Sequence, residues 1–472
     1  MNVTDIGNEE SRKHHNADDY CQRNSAEREG YDRVPTDKRI TENNIINADR
    51  NVNGLLEQIL EPSNLNKAYK QVKKKKGSCG VDKMEVEHLL QYFKDNGNEL
   101  RKNILEGKYR PKPVLRVEIP KDNGQKRQLG IPTVIDRVVQ QAIQQVLSPI
   151  YEPKFSETSY GFRPKRSAHD ALKKCKEYAN EGFTYVVDMD LEKFFDTVSQ
   201  SKMIEILSRT IKDGRVISLI HKYLRAGAIV DKKFEGTEIG LSQGGNLSPL
   251  CSNIMLNELD KELERRGIPF VRYADDVQLF AKSKRSAQRI LDHILPFIEG
   301  KLKLRVNKEK TSVSYIGRIK FLGYGFYPSK NGMKLRVHRK SVSKMKNKIR
   351  EITLRSNGIS YEVLKLKLKQ FVVGWVNYFK LADMKSILKS VDEWLRRRLR
   401  MFIWKRWKKI KTRYRRLKQL GFNHSNALKY ANTRKGYWAI ARSQILSCSI
   451  TDDRLRKSGY IFFSDYYKSV RV

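Results

Sequence analysis

From Leu55 the apolar residues recur at three- and four-residue spacing, through Leu56, Ile59 and Leu60 and then Leu65, Ala68 and Val72, ending on the basic run Lys73 to Lys76. That spacing predicts amphipathic helix. The period then changes. Val114 to Pro120 alternates as an extended segment, Lys121-Asp122-Asn123-Gly124 is turn chemistry, and the chain returns through Leu129 to Pro132. This predicts a hairpin with a cationic tip. Helical spacing resumes at Val138 to Val146, and an aromatic and basic loop, Ser159-Tyr160-Gly161-Phe162-Arg163-Pro164, precedes another helix from Ala168. Tyr185 to Leu191 reads as a short apolar strand, and Phe270 to Phe280 as strand, tight turn, strand. Helices and strands alternate to about Tyr327, after which the pattern is almost entirely basic amphipathic helix. The expected class is α+β, with the mixed part in the middle and helix behind it.

A chain of 472 residues exceeds one ordinary hydrophobic core, so two to four domains are expected. Apolar residues suffice for a core, yet no run is long enough to span a bilayer, so a soluble protein is expected. Charge changes the picture most. Lys and Arg exceed Asp and Glu by 42, and such an excess repels itself unless a polyanion neutralises it. Nucleic acid is the natural partner, because phosphate contacts release counterions and the basic surface speeds encounter. No lipidation motif or basic amphipathic terminus points to a membrane instead. Cys21, Cys79, Cys175, Cys251 and Cys448 stand singly, which indicates neither a zinc site nor a disulfide framework. A reducing cytoplasm, bacterial by default, is expected, and the acid-rich start has neither a signal-peptide core nor the composition of an organellar presequence. Residues 1–50 net −3 while the remainder nets +45. With few aromatics, that first stretch is expected to be a disordered polar extension.

The chemistry concentrates on acids at strand ends. Asp275 and Asp276 sit at the turn between two apolar strands, where adjacent carboxylates repel and need a compensating cation. Some 85 residues upstream, Val186-Val187-Asp188-Met189-Asp190-Leu191 ends another apolar strand in acids. Carboxylates from two neighbouring strand ends could bridge two Mg²⁺ ions, with Mn²⁺ as a substitute, for in-line nucleotidyl transfer. Asp188 and Asp190 share a strand face, so alternation alone does not choose between them; Asp190 is taken as the ligand. Between the two segments lies Gly240-Leu241-Ser242-Gln243-Gly244-Gly245-Asn246-Leu247-Ser248-Pro249. Its glycines allow close backbone approach to a nucleotide or template base, and Gln243 could hydrogen-bond there.

The ordered series of cationic hairpin, SYGFRP, VDMDLEKFFDTV, GLSQGGNLSPL, VRYADD and KFLGYGF resembles the reverse transcriptases encoded by group II introns, also called maturases, from about residue 52 onward. The resemblance implies a right-hand polymerase with fingers, a ferredoxin-like palm, a helical thumb and a helical basic C-terminal region. The implied boundaries are 51–185 for the N-terminal extension and fingers, 186–330 for the palm with its primer-grip hairpin at 320–326, 331–410 for the thumb or domain X, and 411–472 for a basic DNA-binding region. Catalytic acids would be Asp190, Asp275 and Asp276. Phe195 falls where the family places the aromatic that crowds the sugar C2′ position and favours dNTPs over rNTPs. Lys121 and Arg127 match fingertip cations that grip the triphosphate, and Arg163 would support nucleotide or template. Phe371 to Phe379 resembles the part of the thumb that grips intron RNA.

Further on, thirteen Lys and Arg lie between Arg396 and Lys418 with no acid among them, interleaved with Phe402, Trp404, Trp407 and Tyr414. That pattern suits stacking or stem burial against RNA or DNA. The sequence departs from the family at Ser242, where Pro is frequent, and shows no His-Asn-His nuclease motif, so second-strand cleavage is not expected. The expected function is RNA-directed DNA synthesis on intron RNA, using dNTPs and a DNA target as primer, together with assistance in splicing and retrohoming. Two other classes stay open: a reverse transcriptase without an intron, serving defence or a domesticated role, and a splicing-only RNA-binding protein.

Overall fold

The computed structural model describes residues 54–120, 124 and 126–471. The extension at 1–50 and Lys121 lie outside them. The described chain forms two compact units, which divide between Ile319 and Lys320.

In the first unit, β1 (Val114–Pro120) and β2 (Lys126–Ile131) form the expected hairpin, with Ile119 opposite Arg127. β3 (Tyr185–Met189) is nearly all apolar and buried. The short strands β4 (Ala228–Val230) and β5 (Lys233–Glu235) extend the first hairpin into a sheet ordered β2-β1-β4-β5. β6 (Phe270–Tyr273), β7 (Asp276–Ala281) and β8 (Ser312–Tyr315) join β3 in a second sheet, ordered β6-β7-β3-β8. Its ladders are antiparallel, and Val187 faces Leu279 on one side and Val313 on the other. A central strand flanked this way satisfies its backbone donors and acceptors on both edges.

Helices seal this sheet. Lys284–Pro296, capped by Ser283, turns Ala287 and Ile294 inward, and Ala168–Asn180 starts on a reciprocal cap between Ser167 and Asp170. Ser248–Arg265 is different, because it is buried almost all round. Leu250, Ile254, Leu256 and Leu259 are packed inside, and so are Asn253, Asn257 and Asp260. Polar groups so deep need partners, and theirs bear on the site described below.

The second unit opens on a hairpin of β9 (Tyr324–Ser329) and β10 (Gly332–Val337), with Leu335 opposite Phe326. Strand structure therefore continues ten residues past the expected end of the mixed region. Its signal is local: Met333, Leu335 and Val337 alternate inward after the turn at Lys330 and Asn331. Helices Arg339–Ile352, Tyr361–Phe379 and Lys385–Arg406 follow, then shorter ones to Phe463–Val470. Among the described residues no helix is long and apolar enough to cross a membrane.

The aromatic residues of the basic stretch do not serve as an open stacking surface. Phe402 and Trp404 are 1% exposed and Trp407 is 8% exposed. Arg413 stacks over Trp404 and Arg406 over Phe402, while Tyr414 pairs with His424 at 2.8 Å. Helical spacing places aromatics on one stripe, but here the stripe packs the unit's own core and leaves cations on the outside.

Candidate active site

The turn between β6 and β7 is tight. Tyr273 pairs with Asp276 in the ladder, leaving Ala274 and Asp275 as the turn residues. Ala274 takes φ +58°, a left-handed conformation that residues with a Cβ adopt at an energetic cost. Asp275 is half-buried there and Asp276 is exposed. In the neighbouring ladder Met189, the last residue of β3, faces Val277, so Asp190 follows at the end of the sheet where the β6–β7 turn lies. Thus two strand ends from opposite halves of the unit bring their acids to one end of the sheet.

Asp188 and Asp190 have different surroundings. The Gln278 side-chain amide donates to the Asp188 carboxylate at 2.5 Å, straight across the ladder. Asp190 lies past the strand end. Its carbonyl accepts from the Asn307 amide at 2.8 Å, its own amide donates to Thr311 Oγ1 at 3.3 Å, and its carboxylate pairs with Lys310 at 3.1 Å. That ion pair is open to water and is worth roughly 0–1 kcal/mol, so Lys310 is readily displaced.

Burial raises the pKa of Asp275, and the charge of Asp190 raises it further; its backbone hydrogen bond, Arg127 and Arg272 act in the opposite sense. The charge of Asp190 thus reaches Asp275, which puts the two at one end of the same sheet. Arg127, on β2, donates from Nε to Gln243 Oε1 at 2.9 Å. The glycine-rich loop is seated from both sides. Gly130 N donates to Gln243 O at 2.6 Å, while Leu241 N donates to Phe195 O at 2.6 Å and Gly240 N to Val198 O at 2.8 Å. Gly244 needs its missing side chain, because φ is +110° and a Cβ would come within 2.5 Å of Gly130 O.

So Asp190, Asp275, Arg127 and Gln243 gather, with Phe195 joined to them through the loop. Phe195 is 9% exposed and packs edge-on against Phe194. Arg163, expected at nucleotide or template, faces elsewhere. Its guanidinium bonds to Glu152 and to the carbonyls of Ser156 and Ser159, and its side chain is 3% exposed. All three nitrogens are occupied inside the protein, which leaves it no donor for a ligand. Two charged residues at the site went unread in the sequence. Lys310 lies in a lysine-rich loop without a pattern to mark it. Arg272 did carry a signal, as a cation in the middle of the apolar run Phe270-Val271-Arg272.

The donor set suits a hard divalent cation, since it is all carboxylate oxygen and its partly buried member is raised in pKa first by burial and then by its acidic neighbour. Among the described residues no three acidic, histidine or cysteine side chains are closed into a set that could hold a metal ion. Carboxylates repel unless a cation lies between them, and Lys310 draws Asp190 toward itself.

An acidic sheet end beside a cationic hairpin and a glycine loop offers oxygen ligands to a hard cation and positive charge to a polyanion. Comparison with known proteins makes the class specific. Residues 119–326 match the family model described as reverse transcriptase (RNA-dependent DNA polymerase), and residues 342–421 match the group II intron, maturase-specific domain. Protein YkfC of Escherichia coli is 35% identical over 302 residues, covering 56% of this chain and 79% of its own. The group II intron-encoded protein LtrA of Lactococcus lactis is 29% identical over 411 residues, 71% of this chain and 65% of LtrA. Nuclear intron maturase 2, mitochondrial, of Arabidopsis thaliana is 29% identical over 177 residues, 29% of this chain and 24% of that protein. The chain belongs to the reverse transcriptase family and carries a region matching the group II intron maturase-specific domain. Its family chemistry is RNA-directed DNA synthesis, which depends on divalent metal ions.

Proposed function

We propose that this chain copies the RNA of a group II intron into DNA and helps the same RNA to splice, as a right-hand polymerase whose fingers precede, and whose thumb follows, a palm at 186–330. The observation that carries the catalytic part is that the end of β3 and the β6–β7 turn bring Asp190, Asp275 and Asp276 to one end of the sheet, with Arg127 bonded to Gln243 on the glycine-rich loop. Asp190, Asp275 and Asp276 are the residues to hold two Mg²⁺ ions, or Mn²⁺ in their place. Bound there, the metal supplies Lewis acidity at the primer 3′-hydroxyl and charge neutralisation at the leaving pyrophosphate.

The protein's own groups do the positioning. Arg127 offers a guanidinium fork to a triphosphate, and its present bond to Gln243 keeps both at the loop where the nucleotide enters. The seated backbone of 240–245 gives a template base or sugar a rigid neighbour. Phe195 fills the space beside the sugar C2′ position. Its replacement by Ala is expected to leave dNTP use largely intact while raising rNTP incorporation about 10- to 200-fold, the range that one apolar contact discriminates. Competition between dGTP and rGTP on one template measures this, and unchanged selectivity would remove Phe195 from the sugar site.

The maturase-specific region supports the RNA-binding half, with intron RNA and a DNA target as partners. Arg396 to Lys418 contributes its cations rather than its buried aromatics, so its affinity for RNA should fall steeply with salt. The two activities separate by mutation. Asp276→Ala should stop primer extension and leave protein-assisted splicing of the cognate intron intact. Equal loss of both, in protein that is folded, would refute this division.

A further inference from the structure

We infer that Arg272 is a positioning residue, which holds the Ala274-Asp275 turn in place from beneath through a buried network that includes Asp260, Asn253 and the SYGFRP segment. The inference rests on the proposal that the acids of this turn hold the metal.

Arg272 is fully buried in β6 and its side chain turns back under the turn that follows it. Nη1 donates to Ala274 O at 3.1 Å and to Asn253 Oδ1 at 3.0 Å. Nε reaches Asp260 Oδ1 at 2.8 Å, and Nη2 reaches Asp260 Oδ2 at 2.5 Å. One guanidinium thus ties the turn to the helix Ser248–Arg265 at two of its buried polar positions. Only the planar, five-donor fork of Arg meets a bidentate carboxylate on one edge and two separate oxygens on another; the point charge of Lys does not.

The SYGFRP segment completes the frame from the other side. Arg272 N donates to Thr158 O at 3.0 Å, Tyr160 N donates to Arg272 O at 2.9 Å, and Ser159 bridges Arg272 in parallel. Asn253 also donates from Nδ2 to Gly161 O at 2.9 Å, so one asparagine joins the arginine and the segment. Arg163, spent on the carbonyls of Ser156 and Ser159, braces that segment in turn. Motif residues that a linear reading sends to the nucleotide therefore carry the wall behind the acids.

This arrangement has a purpose that apolar packing would not serve. Ala274 is held at a positive φ, and a strained residue stays there only when its surroundings over-determine it. A hydrogen bond to its carbonyl fixes the peptide that sets where the Asp275 side chain leaves the backbone. Asp260 pairs with Arg272 inside the protein, which gives the buried cation a partner beneath the turn.

The test compares full-length Arg272→Lys and Asn253→Ala with wild type and with Asp275→Asn. Arg272→Lys keeps the charge for Asp260 and gives up the fork; Asn253→Ala keeps the ion pair and removes the link to Gly161. Each is expected to lower kcat of primer extension about 10- to 100-fold and to weaken Mn²⁺ binding, read by electron paramagnetic resonance, by a similar factor, as for residues that orient metal ligands. KM for dNTP should stay within about twofold, because no substrate contact is lost. If Arg272→Lys does not fold, Asn253→Ala carries the test alone. Normal kcat in the folded variants, or reduced kcat with unaltered Mn²⁺ binding, overturns the positioning role. A fully active Asp275→Asn would instead overturn the metal assignment, so the two failures are told apart.

Discussion

Asp275→Asn should lose primer extension on poly(rA)/oligo(dT) while the protein becomes no less stable. The carboxyl is half-buried with Asp190 nearby, and both effects raise its pKa above the ordinary value. A carboxyl whose folded pKa is raised binds its proton more tightly in the native state than in the unfolded one. Stability from this group is therefore highest at low pH, falls as pH rises from the ordinary carboxylate range through the raised folded value, and stays lowered above it. At neutral pH the ionised Asp275 opposes folding. Asparagine keeps the shape and removes that opposition, so the melting temperature should hold or rise. Activity should move the other way: losing an anionic ligand removes several kcal/mol of transition-state stabilisation, and about 4 kcal/mol corresponds to about a thousandfold in kcat. A residue that served only the fold would lose stability along with activity. Retained extension in a protein of unchanged melting temperature would remove Asp275 from the proposed catalytic set.

The second large effect comes from a residue with no functional group. Gly161→Ala should cripple both fold and polymerisation, because an added Cβ would lie 2.2 Å from Ala274 N and 2.8 Å from Tyr273 C. Both are backbone atoms of the acidic turn and cannot swing aside as a side-chain tip would. Overpacking of this kind costs about 1–3 kcal/mol. Whatever is relieved by moving the turn is then lost in chemistry, where a shift of about 1 Å can cost about a hundredfold. Gly214→Ala is the matched control. It opens a helix, meets nothing within 4 Å, and should be neutral or stabilising by up to about 1 kcal/mol. Melting curves and extension rates for the pair decide the matter: a Gly161→Ala protein as stable and active as the Gly214→Ala one would contradict the close approach.

Much of the molecule was legible before any coordinates. Alternation marks β1 and short apolar runs mark β3, β6 and β7, and their ends fall within a few residues of the expected ones. The helices at 62–75 and 134–151 follow the expected apolar spacing and the one at 168–180 begins at Ala168, where a helix is expected, while the caps Thr133 and Ser167 that start the last two are seen only in the structure. Order of motifs led to the family, and excess charge led to nucleic acid, since neither depends on how distant segments pair. The hairpin partner β10 was missed although its alternation was present, because the surrounding lysines read equally well as the polar face of a basic helix.

What the sequence by itself determined is which local elements form, which of their faces are apolar, and where acids and cations stand along them. Those properties follow from neighbours within a turn or a strand. Only the tertiary structure decided what each face meets: Gln278 takes Asp188 across the ladder while Asp190 stands in the field of Asp275, Arg163 and Arg272 turn inward, and Trp404 packs against Arg413 instead of a base. The reason is physical. A hydrogen bond or ion pair depends on a few ångströms between groups that lie tens of residues apart, and periodicity carries no information on that separation.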